Sequence, residues 1–197
     1  MSQVSSGIRS ILSYPLVYNT FQKVIGVNKS ARKHVNGFIK PKPNMKIIDI
    51  GCGPGSTLQF LPNDIEYFGI DFEKKYIDYA QKKYGDKGTF ICESVDSFSQ
   101  KNSSKYKNYF NIALASGLLH HLDDEECILL MESAKKVLKS KGKLITLDNI
   151  YTDDQSFLAR YLISRDRGQN IRTLDHYLKI ANKVFSNVKY DVVHDML

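Results

Sequence analysis

Three glycines in five positions, Gly51, Gly53 and Gly55, follow a β-favouring run in the stretch IIDIGCGPGS. Glycine permits the sharp turn and close backbone approach that a nucleotide-like ligand needs beyond the end of a strand. The spacing is G-x-G-x-G, not the G-x-G-x-x-G of dinucleotide sites. Pro54 also removes an N–H that a diphosphate would use, and no Gly-Lys-Ser/Thr follows to make a P-loop. Asp71 comes 20 residues after Gly51, where a carboxylate can accept both hydroxyls of a ribose. His120 and His121 have the near-neutral pKa suited to deprotonating a hydroxyl or amine, or else they pack at the start of a helix. Arg165, Arg167 and Arg172, in SRDRGQNIRT, can grip a carboxylate or phosphate bidentately. Equally, they can pair with Asp153, Asp154, Asp166 or Asp175 and only hold their loop.

These residues need a frame. MKIIDI, IEYFGI, TFIC and YFNIALAS read as four strands, the last apolar almost throughout, as a strand covered on both faces should be. A helix over about Glu73–Tyr84 turns Ile77, Ala80 and Tyr84 inward. Asp123 with Glu126 forms a capping box opening the next helix. KSKGKLITLD supplies a turn and a fifth strand, Thr173 caps a last helix, and FSNVKYDVV reads as a sixth strand. Such alternation predicts an α/β, doubly wound, Rossmann-like and mostly parallel sheet. Before it, Ser13 and Ser30 open two short helices, and KPKPN breaks the chain. The expected division is a basic helical cap over 1–43 and a ligand-binding domain over 44–197.

The charge is localised. Residues 1–48 hold eight Lys and Arg and no acid, whereas the formal net charge of the whole chain is +7. The basic character therefore belongs to the cap, either as a solvated face or as an attractor of phosphates. Cys52, Cys92 and Cys127 are few and scattered, which argues against a disulfide framework or structural zinc and suits a reducing cytoplasm. No apolar run approaches the ~20 residues of a membrane span, and the first residues lack the pattern of a signal peptide.

A strand ending in D-I-G-C-G-x-G, then G-I-D after the second strand, resembles the class I S-adenosylmethionine-dependent methyltransferases. The resemblance covers about residues 45–192, including LLHHLDDEE and VLKSKGKLI. It implies that S-adenosylmethionine is the cofactor and S-adenosylhomocysteine its product. Asp49, Gly51, Cys52, Gly53 and Gly55 would hold the methionine part, Asp71 the ribose, and Phe72 would lie beside the adenine. Ser94 and Val95 would border the adenine amino group, with Asp96 slightly late, and Ala115 and Ser116 would lie near the sulfonium. Cys52 has no positive neighbour in sequence and reads as a packed thiol rather than a nucleophile. Methyl transfer asks the protein mainly for positioning, desolvation and sometimes a base, which makes His120 and His121 the catalytic candidates. Asp148-Asn149 alone is too thin a ligand set for Mg²⁺, so no metal is expected.

The basic helices and the arginine stretch resemble those of small bacterial methyltransferases. Tyr14 and Tyr18 would roof the pocket, and with Arg165, Arg167 and Arg172 would contact the acceptor. The implied acceptor is a small molecule or a glycan- or lipid-linked group, anionic if the arginines bind it. An RNA or protein methyltransferase is the alternative, though no nucleic-acid methylase signature or RNA-binding module is present. A non-catalytic subunit that keeps the fold, and a nicotinamide oxidoreductase, are further rivals. After the expected sixth strand only four residues remain, so the fold's usual seventh strand has no room, and an open sheet edge would favour a homo-oligomer.

Overall fold

The computed structural model describes residues 27–101, 104–152, 155, 157–164 and 168–193. Tyr14, Tyr18, Arg165, Arg167 and the Ser13 helix lie outside them. Helix α1 (Val27–His34) runs into a wide turn over Val35–Ile39, which Lys40 closes in the left-handed region at φ 48°. Ser30 sits inside α1, not at its cap.

Strands β1 (Lys46–Ile50), β2 (Glu66–Asp71), β3 (Thr89–Cys92), β4 (Phe110–Ser116) and β5 (Leu138–Leu147) form one sheet in the order β3-β2-β1-β4-β5, every pairing parallel. Parallel strands need crossovers, supplied by α2 (Lys74–Tyr84), α3 (Val95–Lys101) and α4 (Asp124–Val137). Side chains alternate across the sheet. Ile48, Ile50, Phe68, Ile70 and Ala113 join one apolar cluster with α3 and α4, while Ile47, Tyr67, Ile112 and Leu114 join another with α2 and the Val35–Ile39 turn. The sheet is thus covered on both faces, as the doubly wound expectation requires. Asp123 does close a capping box on α4, accepting from Glu126 N at 2.8 Å. No helix among the described residues is long and apolar enough to cross a membrane.

Beyond β5 the chain forms β6 (Ile150–Tyr151), α5 (Phe157–Ser164), β7 (Arg172–Thr173) and α6 (Leu174–Asn182), with β6 and β7 pairing parallel. Two details differ from the sequence reading. Helix α3 was not anticipated, because seven residues rich in Ser and Asp give little helical signal. Residues 185–193 do not form the expected sixth strand, and Tyr190 and Val192 are exposed. Val188, Tyr190 and Val192 alternate with Lys189 and Asp191 as a half-buried strand should, but alternation needs an edge to pair with. The available edge, β5, is interrupted by a register shift opposite Phe110–Ile112 and carries exposed Lys141 and Lys143. Bulges and edge lysines oppose strand addition.

Candidate functional site

The sheet order reverses between β1 and β4, so a crevice opens beyond their carboxyl ends. The glycine loop borders it, with Gly51, Gly53 and Gly55 at φ 70°, 53° and 73°. Gly51 N and Cys52 N both donate to Ile70 O, at 2.8 and 3.0 Å, fastening the loop to β2. A Cβ on Gly51 would stand 2.9 Å from Leu118 Cδ2, so a side chain there would displace a wall of the crevice.

Asp71 anchors the loop from the other side. Its Oδ2 accepts from Gly53 N at 2.9 Å and its Oδ1 from Glu73 N at 2.8 Å. Burial pushes its pKa upward, and backbone N–H donors of Glu73, Gly53 and Phe72 oppose that. The residue lines the crevice, where its carboxylate can accept from a vicinal diol.

The crevice encloses a cavity of about 340 Å³. Gly51, Gly53, Asp71, Phe72, Ser94, Val95 and Ser116 all line it, as does Asp96. Phe72 is 48% exposed, leaving its ring available to stack on a ligand. Glu93 lines it too, the earlier of the two acids in CESVDSF, and its place at the end of β3 is a signal the sequence carries only once that strand is located. The Glu93 carboxylate is held by Lys101 Nζ at 2.8 Å. Leu118, Leu122, Leu129 and Leu130 give the apolar wall. Asp71, Glu73, Glu93, Asp96 and Glu126 supply carboxylates, and no Lys or Arg is among the described lining residues. An apolar slot with a diol acceptor and a negative field fits an adenosine that carries a cationic sulfonium.

Four cofactor candidates are set back from the cavity, among them Gly55, whose Cβ position faces Phe90 and Ala80 beneath the loop. Ala115 is fully buried in β4. Cys52 turns its sulfur towards Gly69, and burial raises its thiol pKa, so the packed reading fits. Asp49, 2% exposed, accepts from Tyr67 Oη at 2.7 Å and from the Thr57 hydroxyl, which places it beneath the loop. Burial lifts its pKa from 3.8 to about 6. A raised acid pKa means the folded state holds the proton more tightly, so this contribution is complete below the unfolded pKa and is lost as pH rises through the folded one. The native chain should therefore lose on the order of 2–3 kcal/mol from Asp49 between about pH 4 and 7. Buried Asp71 and Asp148 add slope of the same sign. The difference between native and Asp49→Asn in chemical unfolding across that range isolates the Asp49 share, and equal slopes would refute it.

The two histidines part company. His121 lines the cavity, whereas His120 turns away. His120 Nδ1 lies 2.8 Å from Asp148 Oδ1, which also accepts from His120 N, and both side chains are 5% exposed. Asp148 is thereby engaged with an imidazole, and no cluster of metal-ligating side chains occurs among the described residues. Arg172, a candidate acceptor contact, is 6% exposed and fully committed to the fold. Its Nε donates to Asp124 Oδ1 at 2.9 Å, Nη1 to Leu119 O and Asn170 O at 3.0 and 2.8 Å, and Nη2 to Leu122 O at 2.8 Å. Loop-holding, the other reading of its sequence, is what the geometry supports.

Residues 47–142 match the family described as a methyltransferase domain. Over 157 residues the chain is 24% identical to a sterol 4-C-methyltransferase from Caenorhabditis elegans, covering 79% of this chain and 44% of that protein. It is 28% identical over 109 residues to an uncharacterised methyltransferase from Schizosaccharomyces pombe, 51% of this chain and 38% of that one. The chain thus spans less than half the length of these relatives. Among solved structures, an S-adenosylmethionine-dependent methyltransferase from Archaeoglobus fulgidus aligns at TM-score 0.67 and 19% identity, covering 85% of this chain and 73% of its own. Phosphoethanolamine N-methyltransferase 2 from Haemonchus contortus, in complex with S-adenosyl-L-methionine, aligns at TM-score 0.64 and 16% identity over 91% of this chain and 44% of its own. At these identities the structural likeness concerns the fold.

Proposed function

Starting from a chain that carries a class I S-adenosylmethionine-dependent methyltransferase domain, we propose that it transfers a methyl group to a small-molecule acceptor. The observation that carries this reading is Asp71. It ends β2 at the switch-point cavity, its two oxygens oriented by the backbone N–H groups of Gly53 and Glu73. Bound there, S-adenosylmethionine supplies an activated methyl and a thioether leaving group, so the chain's own residues need only position, desolvate and accept a proton. Gly51 and Gly53 cradle the methionine part, Asp71 takes the ribose, and Phe72, Val95 and Leu118 flank the adenine, with Glu93 and Ser94 at its rim. Ser116 lies on the methionine side. His121, on the cavity wall, is the imidazole placed to take the acceptor's proton, and His120 fixes the turn that carries it.

An anionic acceptor drew its support from three arginines. Arg172 is committed to the fold, and the described lining is acidic, which favours an uncharged or amine-bearing nucleophile. Calorimetric titration with S-adenosylhomocysteine, with NADH as control, tests the cofactor. Micromolar binding of the first alone is the expected result, and tight NADH binding or no binding would overturn the reading. Transfer of a labelled methyl to a panel of alcohols, amines and carboxylates then tests the acceptor. Labelling confined to carboxylates would overturn that part.

A further inference from the structure

The turn Leu118–Leu122 has two faces. Leu118, His121 and Leu122 look into the cavity. The opposite face is held by residues 168–172, the last part of the segment linking β6 to β7. Asn170 N donates to His120 O at 2.9 Å, and a Cβ on Gly168 would meet the His120 ring and stand 2.7 Å from His120 O. Arg172 is the main fastening. Two carbonyls of the turn, Leu119 O and Leu122 O, take one N–H from each terminal nitrogen of its guanidinium. A third N–H goes to Asn170 O in its own segment. The remaining side reaches Asp124 at the start of α4, with Nε and Nη2 at 2.9 and 2.8 Å from Oδ1. His176 Nε2 is 2.8 Å from the other oxygen of Asp124, and the His176 imidazole and Arg172 guanidinium hold that carboxyl below the usual range. All five guanidinium N–H groups are thus spent on a turn, a segment and a helix terminus, which they tie together.

We propose that Arg172 is a positioning residue that couples the segment beyond β5 to the cofactor cavity. This rests on the cofactor reading above. A rigid fork with five donors cannot follow the turn if the turn moves alone, so the wall formed by Leu118, His121 and Leu122 and the grip at 168–172 shift together. Coupling of this kind is reciprocal. A ligand that fixes the wall tightens the grip, and a looser grip weakens the ligand by the same factor.

The test uses the full chain and S-adenosylhomocysteine. Arg172→Gln keeps some length and removes the charge and most of the donors. At a temperature where circular dichroism shows it folded, it should bind the probe about tenfold more weakly than the native chain. In the native chain the probe should slow hydrogen exchange at Asn170 N–H, and in Arg172→Gln that protection should vanish, a change that a purely stabilising arginine would not produce. If Arg172→Gln does not fold, Arg172→Lys makes the milder perturbation, keeping the charge and replacing the five-donor fork with a single ammonium. It should weaken the probe several-fold and blunt the Asn170 protection. Native-like affinity in a folded variant, or Asn170 exchange indifferent to the probe in the native chain, overturns the coupling alone. A native chain that does not bind the probe overturns the cofactor reading and the coupling with it.

Discussion

Asp71→Asn should nearly abolish cofactor binding. The native carboxylate accepts Gly53 N on one oxygen and Glu73 N on the other. Asparagine has one acceptor oxygen, so its NH₂ group must face one of those two N–H donors. A buried donor left without an acceptor costs about 1–3 kcal/mol, and hydrogen bonds to a charged group are the stronger ones lost. The same substitution removes half of what a ribose diol would donate to. Together these should weaken S-adenosylhomocysteine by about 2–4 kcal/mol, or roughly 30- to 1,000-fold. Calorimetry on the folded variant measures this directly, and a loss of less than threefold would remove Asp71 from the site.

The second large effect is on stability. Gly55 sits at φ 73°, and a Cβ there would be 2.9 Å from Phe90 Cε1 and 3.2 Å from Ala80 Cβ, both in the buried cluster under the loop. Gly55→Val puts a β-branched side chain into the left-handed region and into a packed core. Backbone strain of about 1–2 kcal/mol adds to overpacking of about 1–3 kcal/mol, a large part of a domain's whole stability. Gly53 separates the two terms. It has φ 53° and nothing within 4 Å of its Cβ position, so Gly53→Ala should show the backbone strain alone. Urea unfolding of both variants gives the contrast, and equal losses would mean that Phe90 and Ala80 do not crowd Gly55.

Much of this architecture is legible from the residues, for identifiable reasons. The third strand, TFIC, falls on the observed Thr89–Cys92, and YFNIALAS contains Phe110–Ser116, the latter because a central parallel strand is apolar on both faces and leaves a continuous run. The capping box at Asp123 is local chemistry and reads directly. So does the turn at Gly51–Gly55, where positive φ admits little but glycine. What escaped reading depends on partners distant in sequence. Asp49 looks like a ligand contact until Tyr67, 18 residues on, takes it underneath the loop. His120 and His121 are indistinguishable as a dipeptide and are told apart only by Asp148, 28 residues beyond His120. Arg172 reads equally as an anion contact or as a loop holder paired with a nearby aspartate, and the groups that decide it are mostly main-chain carbonyls, which leave no trace in the sequence. The sixth strand failed for the same reason, since alternation records a strand's own faces and not whether an edge awaits it.

The short parallel pairing of Ile150–Tyr151 with Arg172–Thr173 has a consequence for how such a chain diversifies. It fixes to each other the two ends of the segment that carries α5. Closure entropy grows only logarithmically with length, so doubling such a loop costs about 0.6 kcal/mol. The pairing lies outside the five-stranded sheet and the glycine turn, so a change of length between those anchors would leave both untouched as long as the grip of residues 168–172 on the Leu118–Leu122 turn is kept. The pairing marks a graft point. Added length can be taken up there at little cost to the fold.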